Sequence, residues 1–157
     1  MQIALEPPQE GFTVDTSSFM AIGENYEVAE REAVWQRTID LIKEGRLKTV
    51  SLVMKELERN DPDAYARLAP LRRVMLVPDA ELARAAGRIT RQFPKMARPY
   101  STREKADQWV VALAETIGLT VVTQEGNAPG KIPAACKVLE IDCIRLDEML
   151  ARTAGPG

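Results

Sequence analysis

This chain of 157 residues predicts an α/β fold with a mostly parallel sheet and helices on both faces. Three observations point there. Short β-rich apolar runs alternate with segments of helical periodicity. LTVVT (119–123) is continuous and apolar, as a strand buried on both faces must be. The length suits one domain with a real core and is short for two.

Taken in order, GFTVD (11–15) is a short apolar run that ends in an acid. Residues 27–44 are helical, with Val28, Trp35, Ile39 and Ile42 on one stripe and Gly45 in the stop position. LKTV (47–50) is strand-like, and Ser51 is expected to cap the helix that carries Glu56. Asp61-Pro62 pairs an N-cap with a proline in the first helical position. RVMLV (73–77) reads as a buried strand stopped by Pro78, and Asp79 as the cap of a helix reaching at least Arg91. Pro94 and Pro99 mark a loop over 94–102. Ser101 and Glu104 have capping-box spacing and open a helix over 102–117 that Gly118 ends. After LTVVT and the loop QEGNAPGK come a short helix from Pro133 to Leu139, a strand over Ile141–Ile144 and a last helix over Leu146–Arg152.

Composition removes several functions. There is no histidine, hence no Ser-His-Asp or Cys-His relay, no imidazole acid/base pair and no His-ligated zinc. Two cysteines, Cys136 and Cys143, are too few for a disulfide scaffold or a zinc site, and both read as packing residues. No stretch reaches the ~18–20 apolar residues of a membrane span. MQIALEPPQEG lacks the basic start and long apolar run of a secretory signal, so residues 1–11 read as an extension and the expected compartment is the cytoplasm. Net charge is −2, but the window from Arg84 to Lys105 carries +6 and the rest −8. Arg84, Arg88, Arg91 and Lys95 share a helix face by spacing, either as a solvated face or as a phosphate-backbone track.

Four acids stand where strands end or helices begin: Asp15, Glu56, Asp107 and Glu125. Each has an ordinary reading: a turn or helix cap for Asp15, good helix propensity for Glu56, a favourable macrodipole for Asp107 and a polar loop for Glu125. Together they suggest hard-cation chemistry, because Mg²⁺ and Mn²⁺ take oxygen ligands. Ligands in parallel sheets bind beyond the carboxyl ends of the strands near the switch point of strand order. Topology alone does not bring the two helix-borne acids to that edge. If all four meet at a mean ~6 Å, each pair repels by ~3 kcal/mol at an effective dielectric of 20. Such a pocket must bind a cation, protonate an acid or stay well hydrated.

VDTSSF (14–19), VSLVMKELER (50–59), KADQWVVALA (105–114) and VVTQE (121–125) resemble, in order and spacing, the four motifs of PIN-domain ribonucleases. The tail KIPAACKVLEIDCIRLDEML (131–150) is similar to that of a PIN-like subfamily found in prokaryotic toxin–antitoxin loci. The resemblance runs from about residue 12 to 150. It departs at Glu125, where the fourth motif usually carries aspartate. It implies a three-layer α/β/α domain over 12–152, with a mostly parallel sheet of four to five strands and a tail at 153–157. It also implies a Mg²⁺- or Mn²⁺-dependent endoribonuclease leaving 5′-phosphate and 3′-hydroxyl ends, a cognate antitoxin and a homodimer. On that reading Asp15 and Asp107 hold the metal, with Glu125 contacting it or a bound water. Glu56 orients or deprotonates the attacking water, Thr16, Ser17 and Thr123 are hydrogen-bond donors to ligands or phosphate unless they are local caps, and Arg98, Arg103 and Lys105 contact the phosphate backbone. A haloacid-dehalogenase-type phosphatase also begins with a strand ending in Asp, but Ser17 stands where its second acid belongs. A receiver domain lacks its acid pair and lysine here. A PIN-like scaffold that binds RNA or a partner without cutting is the non-enzymatic alternative.

Overall fold

The computed structural model describes residues 9–96 and 105–155. Its centre is a four-stranded, all-parallel sheet in the order β2-β1-β3-β4, formed by Phe12–Val14 (β1), Leu47–Lys48 (β2), Thr120–Val122 (β3) and Cys143–Ile144 (β4). Helices flank it. Strand order reverses between β1 and β3, where Phe12 pairs with Thr120 and Val14 with Val122. That register sets Asp15 beside Thr123, and the Asp15 amide donates to the Val122 carbonyl (3.1 Å). The switch point therefore lies between the two strand ends that carry acids.

The connections follow from their sequences. Thr16–Asn25 (α1) starts directly at Asp15, whose carboxylate accepts the Ser18 amide at 2.9 Å as an N-cap. Val28–Lys43 (α2) buries Val34, Trp35, Thr38, Leu41 and Ile42. The expected stripe is displaced at its start: Val28 is 72% exposed, because the inward face begins only at Val34. Ser51–Asn60 (α3) buries Val53, Met54 and Leu57 on one face and leaves Glu56 at its margin. Pro62–Leu68 (α4) opens as expected, with Asp61 accepting the Ala64 amide at 3.2 Å.

Residues 73–77 correct an expectation. They form no strand: Arg72–Met75 (α5) is a helical turn, followed by a single parallel bridge between Thr49 and Leu76. Arg73 and Val74 are exposed while Met75 and Val77 are buried, so the segment covers a core edge and has only one inward side. A short apolar run does not distinguish these cases by periodicity. Two caps also differ. Ser51 and Asp79 are the first residues of their helices and cap neither; the Ser51 hydroxyl donates to the Asp79 carboxylate at 2.9 Å and ties α3 to Asp79–Gln92 (α6).

Asp107–Ile117 (α7) is buried on nearly every side and packs between the sheet and α6, which explains its run of apolar residues. It stops at Gly118, whose φ of +83° suits glycine. Residues 105 and 106 precede the helix, and the proposed Ser101–Glu104 capping box lies outside the described residues. Ile132–Leu139 (α8) and Leu146–Arg152 (α9) complete the chain. Cys136 is buried on α8 and Cys143 half-buried on β4. Both thiols are free; they share a hydrogen bond that, with burial, pushes the Cys136 thiol up. Among the described residues no helix is long and apolar enough to cross a membrane.

Candidate active site

Because α7 leads into β3 and runs back across the sheet, its N-terminus lies at the same edge as the carboxyl ends of the strands. This brings Asp107 to the edge where Asp15 ends β1 and Glu125 follows β3. Hydrogen bonds then link the elements. Glu56 accepts the Thr16 hydroxyl with Oε1 and the Ala106 amide with Oε2 at 3.2 Å. It thus joins the residue after Asp15 to the residue before Asp107. Ala106 is the N-cap of α7 and has no side chain to cap with, so a carboxylate from another helix takes its amide.

Asp15 is the most enclosed of the four, at 4% exposure. Thr123 donates to its Oδ2 at 2.6 Å, and the Ser17 hydroxyl is shared between its two oxygens at 2.8 and 2.9 Å. Ser17 itself accepts the Gln124 amide at 3.0 Å, which fastens the β3 loop to α1. Burial nevertheless pushes the Asp15 carboxyl up to about 6, against the three hydrogen bonds and with a further rise from Glu125. Asp107 is pushed up to about 7, by burial first and then by Glu125, Asp15 and Glu56; Lys105 opposes the shift. All three other acids act on Asp107, so the four carboxylates meet in one field.

Thr16, Ser17 and Thr123 have their hydroxyls turned to these carboxylates. Their observed work is to hold the acids in place. Glu125 uses its extra methylene to reach the first turn of α8, where Oε1 accepts the Ile132 amide at 2.9 Å. The Thr123 hydroxyl accepts the Glu125 amide at 3.1 Å. Lys105 is half-buried at the entry to α7. Arg98 and Arg103 lie outside the described residues. On the basic face, Arg88 pairs with Glu115 of α7, α6 ends at Gln92, and Lys95 lies beyond the helix. Trp109 packs against the core. One residue escaped sequence reasoning. Gln124 accepts the Leu146 amide at 2.9 Å and so joins the site loop to α9; an unremarkable glutamine inside a motif offers no signal for that.

The donor set matches a hard divalent cation in kind: four carboxylates, no imidazole and one ammonium among the groups shifting Asp107. It also matches in charge, since Asp15 and Asp107 are raised by burial and then by neighbouring carboxylates, and a cation would offset that repulsion. Spacing is looser. Among the described residues no three His, Cys, Asp or Glu side chains stand close enough to hold an ion as they are.

A family model described as "Domain of unknown function (DUF4411)" matches residues 12–155, from the first residue of β1 to beyond α9. The chain belongs to the DUF4411 family. A search of curated proteins returns no match. In this DUF4411 domain, then, the chemistry of the site is read from its own residues.

Proposed function

We propose that this chain is a Mg²⁺- or Mn²⁺-dependent endoribonuclease of the PIN-domain kind, acting as the toxin of a prokaryotic toxin–antitoxin pair. The observation that supports the reading is the gathering of the acids at the switch point of a parallel sheet, where Glu56 joins Thr16 to the Ala106 amide and Asp107 is pushed up by burial and then by Glu125, Asp15 and Glu56. The resemblance of the four motifs to those of PIN-domain ribonucleases supports the PIN type and implies RNA as substrate, an antitoxin as partner and a homodimer; a cytoplasmic setting is proposed with them.

Asp15 and Asp107 would hold the cation, with Glu125 contacting it or a water. When bound, the cation polarises a phosphoryl oxygen and lowers the pKa of water. Thr123, Ser17 and the Ser18 amide keep Asp15 in a single orientation, so little ordering remains when substrate arrives. Glu56 is held on both sides by Thr16 and Ala106, and each of its oxygens keeps a second lone pair for the attacking water. Lys105, with Arg98 and Arg103, would meet the phosphate backbone. A phosphatase using Asp15 as nucleophile is disfavoured, because Ser17 stands where its second acid belongs and donates to Asp15 instead.

The looser spacing of the acids favours one second reading, a PIN-like scaffold that binds RNA or a partner without cutting. Incubation of a defined single-stranded RNA with the chain and Mn²⁺ separates the two. The nuclease predicts 5′-phosphate products, lost in Asp15→Ala and in EDTA. Absence of cleavage together with unchanged melting on Mn²⁺ titration would leave the scaffold.

A further inference from the structure

Beside the carboxylates lies a second feature that the motifs do not account for. A groove of about 350 Å³ separates the turn after α6 from the first turns of α8. Its floor is apolar, built from Phe93, Pro94, Met96, Pro129, Ala134 and Val138. Lys95 and Lys131 also line it, both exposed, and among the described residues no carboxylate does. Its walls are fixed against each other. Gly130 has φ +87°, and a Cβ there would stand 2.9 Å from the Lys95 Cβ, so the loop after β3 presses its backbone onto the turn at 93–96. Pro94 and Pro129 stiffen the two sides.

We infer that this groove receives one unpaired nucleotide of the RNA strand, next to the phosphate to be cut. The inference rests on the nuclease reading and names part of its specificity. Three properties argue for a nucleotide. The volume lies in the ~300–1,000 Å³ range of small-molecule sites. An apolar floor with a half-buried phenylalanine suits the face of a base, while two ammonium groups and no acid suit its phosphates. Finally, the groove neighbours the acids through the start of α8: Lys131 lines it, and the amide of the next residue, Ile132, holds Glu125 at 2.9 Å. A strand with its phosphate at Asp107 has this slot within reach of a neighbouring base. An apolar peptide segment with acidic flanks shares the charge pattern, but the two exposed ammonium groups beside an apolar floor match a base with its flanking phosphates.

The test is binding of a fluorescein-labelled, eight-nucleotide single-stranded RNA to the full chain carrying Asp107→Asn, followed by anisotropy. Abasic sites are placed at each position in turn. One position is expected to weaken binding about tenfold when its base is removed. Ala134→Trp, which fills the groove, and Val138→Glu, at a site already 62% exposed, should each cause a similar loss with an unchanged melting temperature. Neither should add to the abasic loss. Equal affinity for every abasic RNA, or additive losses, overturns the inference. So does an acidic, apolar peptide captured by the groove while RNA binding ignores both substitutions. The wild-type cleavage assay tells the two readings apart: cleavage that ignores base removal sinks the subsite alone. Absence of cleavage with groove-dependent binding sinks the nuclease and keeps the subsite.

Discussion

At the N-terminal edge of the sheet, Glu10, Asp142 and Glu148 all converge on Arg152, at 2.7, 2.8 and 3.2 Å. Glu10 also accepts the Thr120 hydroxyl at 2.7 Å. At the opposite edge four acids meet, and Lys105 is the one cation among the groups shifting Asp107. The first cluster is solvated and each of its three acids is ion-paired to Arg152, an arrangement that fastens β1, β4 and α9. The second is more enclosed and carries excess negative charge. The acids of the solvated edge each have a direct ion pair, whereas among the described residues none of Asp15, Glu56, Asp107 and Glu125 does. Acid counts are similar at the two edges; direct ion pairing and burial distinguish them.

The largest expected effect comes from removing charge at the unbalanced edge. Asp107→Asn should reduce cation-dependent cleavage by about 100-fold or more. It should also raise the melting temperature at pH 8, because the charge it removes is opposed by burial and by three neighbours. For a domain of this size each kcal/mol is worth about 2–4 °C. Asp15→Ala should abolish cleavage equally but lower the melting temperature at pH 5, where charge matters less. It deletes the α1 cap, worth about 0.5–2 kcal/mol, and strands the Thr123 hydroxyl. If both variants melt below wild type by the same amount at every pH, the claimed imbalance is absent.

Next in size is the pH dependence of the ion-free chain. Asp15 and Asp107 titrate near 6 and 7 in the fold and near 3.8 when unperturbed. The folded state therefore binds more protons between these values, and stability must fall as pH rises. The contribution is complete below about pH 4 and is lost through 6 and 7; Asp15 alone accounts for about 3 kcal/mol. Melting in EDTA from pH 4 to 8 should show the decline, and saturating Mn²⁺ should flatten it. Arg152→Met should do less and do it elsewhere. Loss of the solvated cluster costs about 1 kcal/mol, most at low salt, and leaves cleavage untouched.

Much of this was legible before any coordinates. Asp15 stands out as an acid closing an apolar run, and LTVVT announces its own burial. The last helix, Leu146–Arg152, has the bounds its pattern suggests. Convergence was not legible. Glu56 reaches the edge because α3 rotates it toward Thr16, and Asp107 because the run of α7 turns its N-terminus there; both depend on packing that periodicity does not encode. The segment 73–77 misled for a related reason, since five apolar-rich residues can line a core edge as a helical turn as well as a strand. Asp15 has two readings, cap or site residue, and the structure shows the cap: the carboxylate that starts α1 is also the one proposed to hold the cation.

The finest test of the contrast is at Glu125, the position where the fourth motif departs from aspartate. Glu125→Gln keeps an oxygen to accept the Ile132 amide and removes the charge that, after burial, contributes most to the shift at Asp107. The fold should be unaffected, and the upper step of the ion-free pH profile should move to lower pH, read by the melting midpoint or by carboxyl NMR. Glu125→Asp makes the opposite change: it keeps the charge and gives up the reach to α8. Its profile should stay near wild type while α8 loses its carboxylate acceptor, a cost of about 0.5–1.5 kcal/mol. If Glu125→Gln leaves the upper step in place, Glu125 is an α8 cap that happens to lie near the acids, and the unbalanced cluster shrinks to three.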